Sequence, residues 1–224
     1  MNMTSVRSPV TRVLRFDAVQ RVTHWLNAAL FSVLILTAIS LFYGSFFGVV
    51  LPRHLDQEIH LWSGLMLPVP IVVSLLGPWG RAMRRDLRRV NYWTHQEIAW
   101  LRSFGRRPLI ADKFNPGQKL NTVFTGASIV IMLASGVILQ WFRFFPLSWR
   151  SGATFVHDAL AYLIVAVILG HLAMALTHAP SLRSMISGRV DVQWARRHAP
   201  QWAKELDDDV VGDASHHATG RSTT

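Results

Sequence analysis

Four stretches of this chain carry no Asp, Glu, Lys or Arg and are long enough to cross a bilayer: residues 22–52, 59–80, 120–142 and 159–182. A spanning helix needs about 20 mostly apolar residues. In hydrocarbon the backbone polar groups must be satisfied internally, which leaves a helix or a closed barrel as the only solutions. Runs this long and uninterrupted choose the helix. Only 16% of the residues are charged, against about 25% in a typical soluble domain. The third run is free of proline as well as charge. The second contains Pro68, Pro70 and Pro78, which a transmembrane helix tolerates as kinks. The expected spans are residues 25–47, 60–77, 119–142 and 155–177. Trp25, Trp62, Trp79, Trp141 and Trp149 fall near the expected interfaces, where indole rings prefer to sit. The fold class is all-α, a four-helix transmembrane bundle.

The net charge of +10 is a topology signal rather than a nucleic-acid footprint. Twenty Lys and Arg lie before the first span, between spans two and three, or after span four. Only Arg53, Arg143 and Arg150 lie in the other two connections. By the positive-inside rule, both termini and the central loop are cytoplasmic. The polar, basic N-terminal segment and the length of the first apolar run do not suit a cleavable signal peptide. Zero Cys excludes disulfides, Cys-ligated iron–sulfur clusters and thiolate haem ligation.

One domain is expected over residues 1–206, the membrane bundle with its cytoplasmic loop. A polar tail over residues 207–224 has the composition of a disordered segment. The central loop has helical spacing over residues 88–104, with Val90, Trp93, Ile98 and Leu101 on or near one face. That helix either lies along the membrane surface or serves as a plain connector.

Of ten histidines, His54, His95, His178, His198, His216 and His217 fall in loops, at a helix end or in the tail, where a solvated or interfacial role suffices. Four others fall in or at the edges of apolar runs, where an imidazole is costly and rarely idle. His157 and His171 are fourteen residues apart on the last span, which places them on one helix face about 21 Å apart along the axis. With alternating span directions, His60 shares the depth of His157 and His24 shares that of His171. Two imidazoles per layer fall short of the four ligands zinc requires. A haem supplies four nitrogens and asks only for two axial ligands. The expected metal ligands are therefore His24 and His171 for a cytoplasmic-side haem, and His60 and His157 for a periplasmic-side haem. Gly64, Gly126, Gly136 and Gly170 give room for a porphyrin, although close helix packing uses the same residues. Arg15, Arg21 and Lys119 lie near the cytoplasmic layer, where they either meet haem propionates or anchor helices at the interface. The turn at Asn115–Lys119 feeds span three and exposes backbone N–H groups at a helix N-terminus. It serves either as a helix-initiating turn or as a quinone contact.

These motifs resemble the gamma subunit of membrane-bound respiratory formate dehydrogenase, a dihaem cytochrome b. The resemblance is carried by residues 21–25 (RVTHW), 59–64 (IHLWSG), 112–119 (DKFNPGQK) and 185–202 (MISGRVDVQWARRHAPQW), and by the spacing of His157 and His171. It implies two haem b groups and a quinone acceptor, menaquinone or ubiquinone, at Asn115, Gly117, Gln118 and His171. It also implies an iron–sulfur electron-transfer subunit and a molybdenum or tungsten catalytic subunit as partners. Electrons would run from the periplasmic side to quinone on the cytoplasmic side of a bacterial inner membrane. The chain is expected to have no catalytic activity alone, because no acid–base or nucleophile constellation lies outside these positions. Two rivals remain at this stage: a cytochrome b subunit of a hydrogenase or thiosulfate reductase, and a haem-free membrane anchor.

Overall fold

A computed structural model of the chain describes residues 12–47 and 51–208. Four of its helical segments are long and apolar enough to span: Ala18–Gly44, Arg53–Leu75, Pro116–Gln140 and Leu147–Thr177. They belong to helices α1 (Ala18–Phe47), α2 (Arg53–Met66) with α3 (Val69–Leu75), α6 (Pro116–Gln140) and α7 (Leu147–Thr177). The number of spans is as expected, but all four begin earlier than the charge-free runs predict. Charge at a helix end does not stop a helix when it reaches water or finds a partner. Asp56, in the first turn of α2, is buried and accepts a 2.5 Å hydrogen bond from Ser40 Oγ on α1. His60 therefore sits about two turns inside its helix rather than at its entrance. The second span breaks at Leu67 and Pro68. Pro68 and Pro70 lack the N–H groups that would continue the ladder, and the Leu67 N–H closes a tighter turn onto the Gly64 carbonyl at 3.3 Å.

α1 packs along α2, and α6 along α7. The two hairpins meet more sparsely, where α2 touches α6 and where side chains cross from α1 to α7. Most of the spanning surface is exposed, as in Leu36, Val130, Leu169 and Leu176, which suits helices solvated by lipid.

Apart from two short 3-10 turns, Pro78–Gly80 and Phe142–Phe144, the remaining elements gather at one end and form a cap. They are strand β1 (Arg12–Leu14), α4 (Arg81–Asn91), α5 (His95–Arg102), α8 (Ala179–Ser187), strand β2 (Arg189–Asp191), α9 (Val192–His198) and a tenth helix over residues 200–208. β1 and β2 pair antiparallel, with Arg12 opposite Asp191 and Leu14 opposite Arg189. This ribbon adds to the all-α expectation, because strands of three residues carry no readable periodicity. The backbone N–H groups of Arg15 and Phe16 both donate to the Gly188 carbonyl, at 2.8 and 3.0 Å. Gly188 ends α8 at φ +79, and a Cβ there would lie 2.5 Å from the Phe16 carbonyl oxygen. Only glycine fits.

The buried apolar cluster of Val190, Ala195, Ala199, Trp202 and Ala203, with Val13, Trp194 and Leu206 against it, lies in the cap and not between the spans. The expected helix over 88–104 is instead two helices. Tyr92 and Trp93 are non-helical, and Thr94 starts α5 with a reciprocal cap to Glu97. Residues 207 and 208 close the tenth helix, and Asp207 pairs with Arg196 at 3.2 Å. The rest of the expected tail, 209–224, lies outside the described residues.

Candidate functional site

The four histidines meet in two pairs across the gap between the hairpins. The ring centres of His24 on α1 and His171 on α7 are 6.2 Å apart, and those of His60 on α2 and His157 on α7 are 6.4 Å apart. With metal–nitrogen bonds of about 2.0 Å and roughly 1.1 Å from nitrogen to ring centre, one metal between two imidazoles sets the ring centres about 6.3 Å apart. Both pairs have that spacing. Among the described residues no group of three or more His, Cys, Asp or Glu is placed to hold a metal ion. The donor set thus suits a metal that brings its other ligands with it, as haem does. Gly126 and Gly170 are exposed, and a Cβ built on either would meet nothing within 4 Å. Gly136 does pack closely, with its Cβ position 3.5 Å from His157 Cε1.

The two layers differ in how their rings are held. His60 Nδ1 lies 2.8 Å from Thr37 Oγ1, and His157 Nδ1 lies 2.9 Å from Ser135 Oγ. His24 has the edge of Trp25 against it at 5.4 Å between ring centres, and His171 as its other aromatic neighbour. Farther along α1, the Tyr43 hydroxyl is 2.9 Å from that of Tyr162 on α7. Thr37, Ser135, Ser40 and Asp56 were not named from the sequence. Hydroxyls inside an apolar run were the available signal, but local spacing does not say which residue of another helix they meet.

The residues of the Asp112–Lys119 segment are tied into the cap. Asp112 pairs with Arg89 at 2.8 Å. Lys113 pairs with buried Asp86, which also accepts from Gln20 Nε2 at 2.6 Å. Asn115 Oδ1 accepts from the Gln118 N–H at 2.9 Å, and Gln118 Oε1 accepts from the Asn115 N–H at 3.0 Å. This reciprocal box starts α6 with Pro116 in its first turn. Among the described residues, the NH₂ groups of both amides make no hydrogen bond. Among the described residues no hydrogen bond joins His171 to this turn.

The three cations expected near the cytoplasmic layer divide by their partners. Lys119 is 2% exposed and bonds Glu97 at 2.6 Å and the Tyr92 carbonyl at 2.8 Å. Arg21 donates to the Asp17 and Ile186 carbonyls. Both hold the cap together. Arg15 is buried between the Trp194 and Phe16 rings, with its carbon 4.7 and 5.0 Å from their centres. It donates to the Lys113 carbonyl at 3.3 Å, while its Nε and Nη1 have no hydrogen-bond partner among the described residues. Burial lowers the Arg15 pKa to about 10, against the pull of Asp86. His178 closes the end of α7 on the Met174 carbonyl, and His198 bonds the Trp194 carbonyl and stacks on its ring.

A model of the family described as prokaryotic cytochrome b561 matches residues 15–188. The chain belongs to that family. The cytochrome b561 match runs from the buried Arg15 to the left-handed Gly188, and so takes in all four spans and both histidine pairs. Three relatives are similar over most of the chain. The chain is 26% identical to the formate dehydrogenase cytochrome b556 subunit of Haemophilus influenzae, over 92% of this chain and 90% of the relative. It is 25% identical to the nitrate-inducible formate dehydrogenase cytochrome b556(Fdn) subunit of Escherichia coli strain K12, over 87% and 92%. It is 24% identical to the cytochrome b556(fdo) subunit of the same strain, over 87% and 93%.

Proposed function

We propose that this cytochrome b561 is the transmembrane dihaem subunit of a formate dehydrogenase. It passes electrons from a periplasmic iron–sulfur subunit to quinone on the cytoplasmic side of a bacterial inner membrane. The observation that carries this reading is the pairing of His24 with His171 and of His60 with His157, each at the spacing of rings that share one metal. The relatives are named as formate dehydrogenase subunits, which supports a formate-oxidising complex as the partner; in this reading that complex includes an iron–sulfur subunit and a molybdenum or tungsten catalytic subunit.

In this reading His24 and His171 hold one haem b, and His60 and His157 hold the other. Bound haem iron supplies one-electron chemistry by cycling between its ferric and ferrous states. The chain's part is ligation, spacing and dielectric. The excess of Lys and Arg at the cap end supports a cytoplasmic position for that end, and in this reading the His60–His157 layer is periplasmic. On the cytoplasmic side, the unspent NH₂ groups of Asn115 and Gln118, the bare backbone at Gly117 and the imidazole of His171 form the quinone site. Their task is to donate hydrogen bonds to a quinone carbonyl. Arg15, with Nε and Nη1 unpaired, is the cation suited to a haem propionate. Residues 1–206 form a single membrane domain that includes the cap.

Purification of the tagged chain in detergent tests both halves of the proposal. Two haem b per chain by pyridine haemochrome, with a formate-oxidising subunit co-purifying, is the expected result. A colourless, folded chain would overturn the electron-transfer reading. Two haems with a different oxidoreductase attached would overturn the formate assignment alone.

A further inference from the structure

Thr37 and Ser135 sit on different helices and make the same arrangement. Thr37 Oγ1 donates back to the Val33 and Leu34 carbonyls at 2.8 and 3.1 Å, and Ser135 Oγ to the Ile131 and Met132 carbonyls at 2.8 and 3.2 Å. A hydroxyl has one hydrogen. With that hydrogen spent on the helix's own carbonyls, each hydroxyl oxygen can only accept from its histidine. The contacts at 2.8 and 2.9 Å are therefore Nδ1–H donations by His60 and His157. Both rings are set in one tautomer, with the lone pair on Nε2, the nitrogen a metal takes. Thr37 and Ser135 are buried, at 7% and 5% exposure, so water does not compete for these bonds. The other layer lacks this device. Among the described residues, neither His24 nor His171 hydrogen-bonds to a hydroxyl.

We propose that Thr37 and Ser135 are positioning residues that preset His60 and His157 for iron, and that they make this layer the tighter and lower-potential of the two haem sites. This rests on the reading of both histidine pairs as haem ligands. Donation from Nδ1 raises the basicity of the ligand, and a more basic ligand favours the ferric state. A ring already oriented also loses less freedom when the metal binds. The two sites then differ in potential although both offer the same pair of imidazoles.

The test uses the full chain in detergent. Thr37→Val and Ser135→Ala, singly and together, delete the acceptors, and Thr37→Ser keeps one. Ser32→Ala is the control, because Ser32 Oγ makes the same back-bond to the Ala28 carbonyl at 2.8 Å with no histidine attached. Haem affinity is read by transfer to apomyoglobin, and potentials by spectroelectrochemical titration. The double variant is expected to release one haem with about 10–100-fold weaker affinity. Its lower-potential wave moves upward while the other wave stays in place. Thr37→Ser and Ser32→Ala keep the parent behaviour. Ser135→Ala alone, a change any span accommodates, shows a smaller shift in the same direction and carries the test if the double variant misfolds. A parent chain with two haems whose variants show unchanged waves and retention would overturn the proposal, as would a shift confined to the higher-potential wave. A parent chain that binds no haem would instead overturn the ligand reading on which the proposal rests.

Discussion

Lys119 Nζ lies 2.6 Å from Glu97 Oε1, and both side chains are buried where α5 meets the first turn of α6. The Tyr92 carbonyl takes a second Lys119 proton at 2.8 Å, and the Trp93 ring lies 5.7 Å from the ammonium. A cation held this way fastens the loop between spans two and three to the mouth of span three.

Removing one partner of a buried pair strands the other charge, at a cost of about 3–5 kcal/mol. Lys119→Met is expected to lower stability by that much, read from thermal unfolding in detergent. Lys119→Met with Glu97→Gln should recover most of the loss, because no buried charge is then left alone. A single variant as stable as the parent would show that the pair is not buried in the folded protein.

Each histidine pair should behave as a unit. His60→Ala or His157→Ala is expected to remove one haem and leave the other, and His24→Ala or His171→Ala the converse. Pyridine haemochrome counts with reduced optical spectra check this. Loss of both haems or of neither from folded variants would break the pairing.

Arg15 makes the cap sensitive to alkali. Its folded pKa is lowered by burial to about 10, well below that of the free group. Between those two values the unfolded chain binds more protons than the folded one, so stability contributed by this group rises with pH. Below that window the charged, buried guanidinium imposes its full penalty. The parent should therefore show a more positive slope of melting temperature against pH than Arg15→Met as the window is entered near pH 10. Equal slopes would place Arg15 in water.

Phe104 is 92% exposed and adopts φ +51. The left-handed region costs a residue with a Cβ about 1–2 kcal/mol. Phe104→Gly is expected to stabilise the loop by up to about 1 kcal/mol once the extra freedom of glycine in the unfolded chain is set against that relief. Denaturant titration in detergent measures it, and a destabilised variant would mean that the exposed ring makes a contact in the assembled protein.

The spans were legible in the sequence because hydrocarbon leaves few alternatives: uninterrupted apolar runs must be helices. The two histidine layers were legible because 3.6 residues per turn fixes both face and depth along one helix. The ends of α2 and α7 were not. Asp56 and Arg150 lie inside those helices, and the Ser40 bond that accommodates Asp56 comes from another helix, α1. The cap was hidden for the same reason. Asp112 and Lys113 fell in the expected loop and Lys119 at the expected start of span three, whereas their partners Arg89, Asp86 and Glu97 lie on two other helices. The Asn115–Gln118 box was legible as a turn that begins a helix, and the structure uses its acceptors for that purpose.

The β1–β2 ribbon also fixes an order of assembly. Its first strand is Arg12–Leu14 and its second is Arg189–Asp191, so the earlier strand has no mate until all four spans have been made. Both hairpins of spans can be inserted and paired before the ribbon forms, because their contacts are closer in sequence. The ribbon is thus the last part of the cap to close.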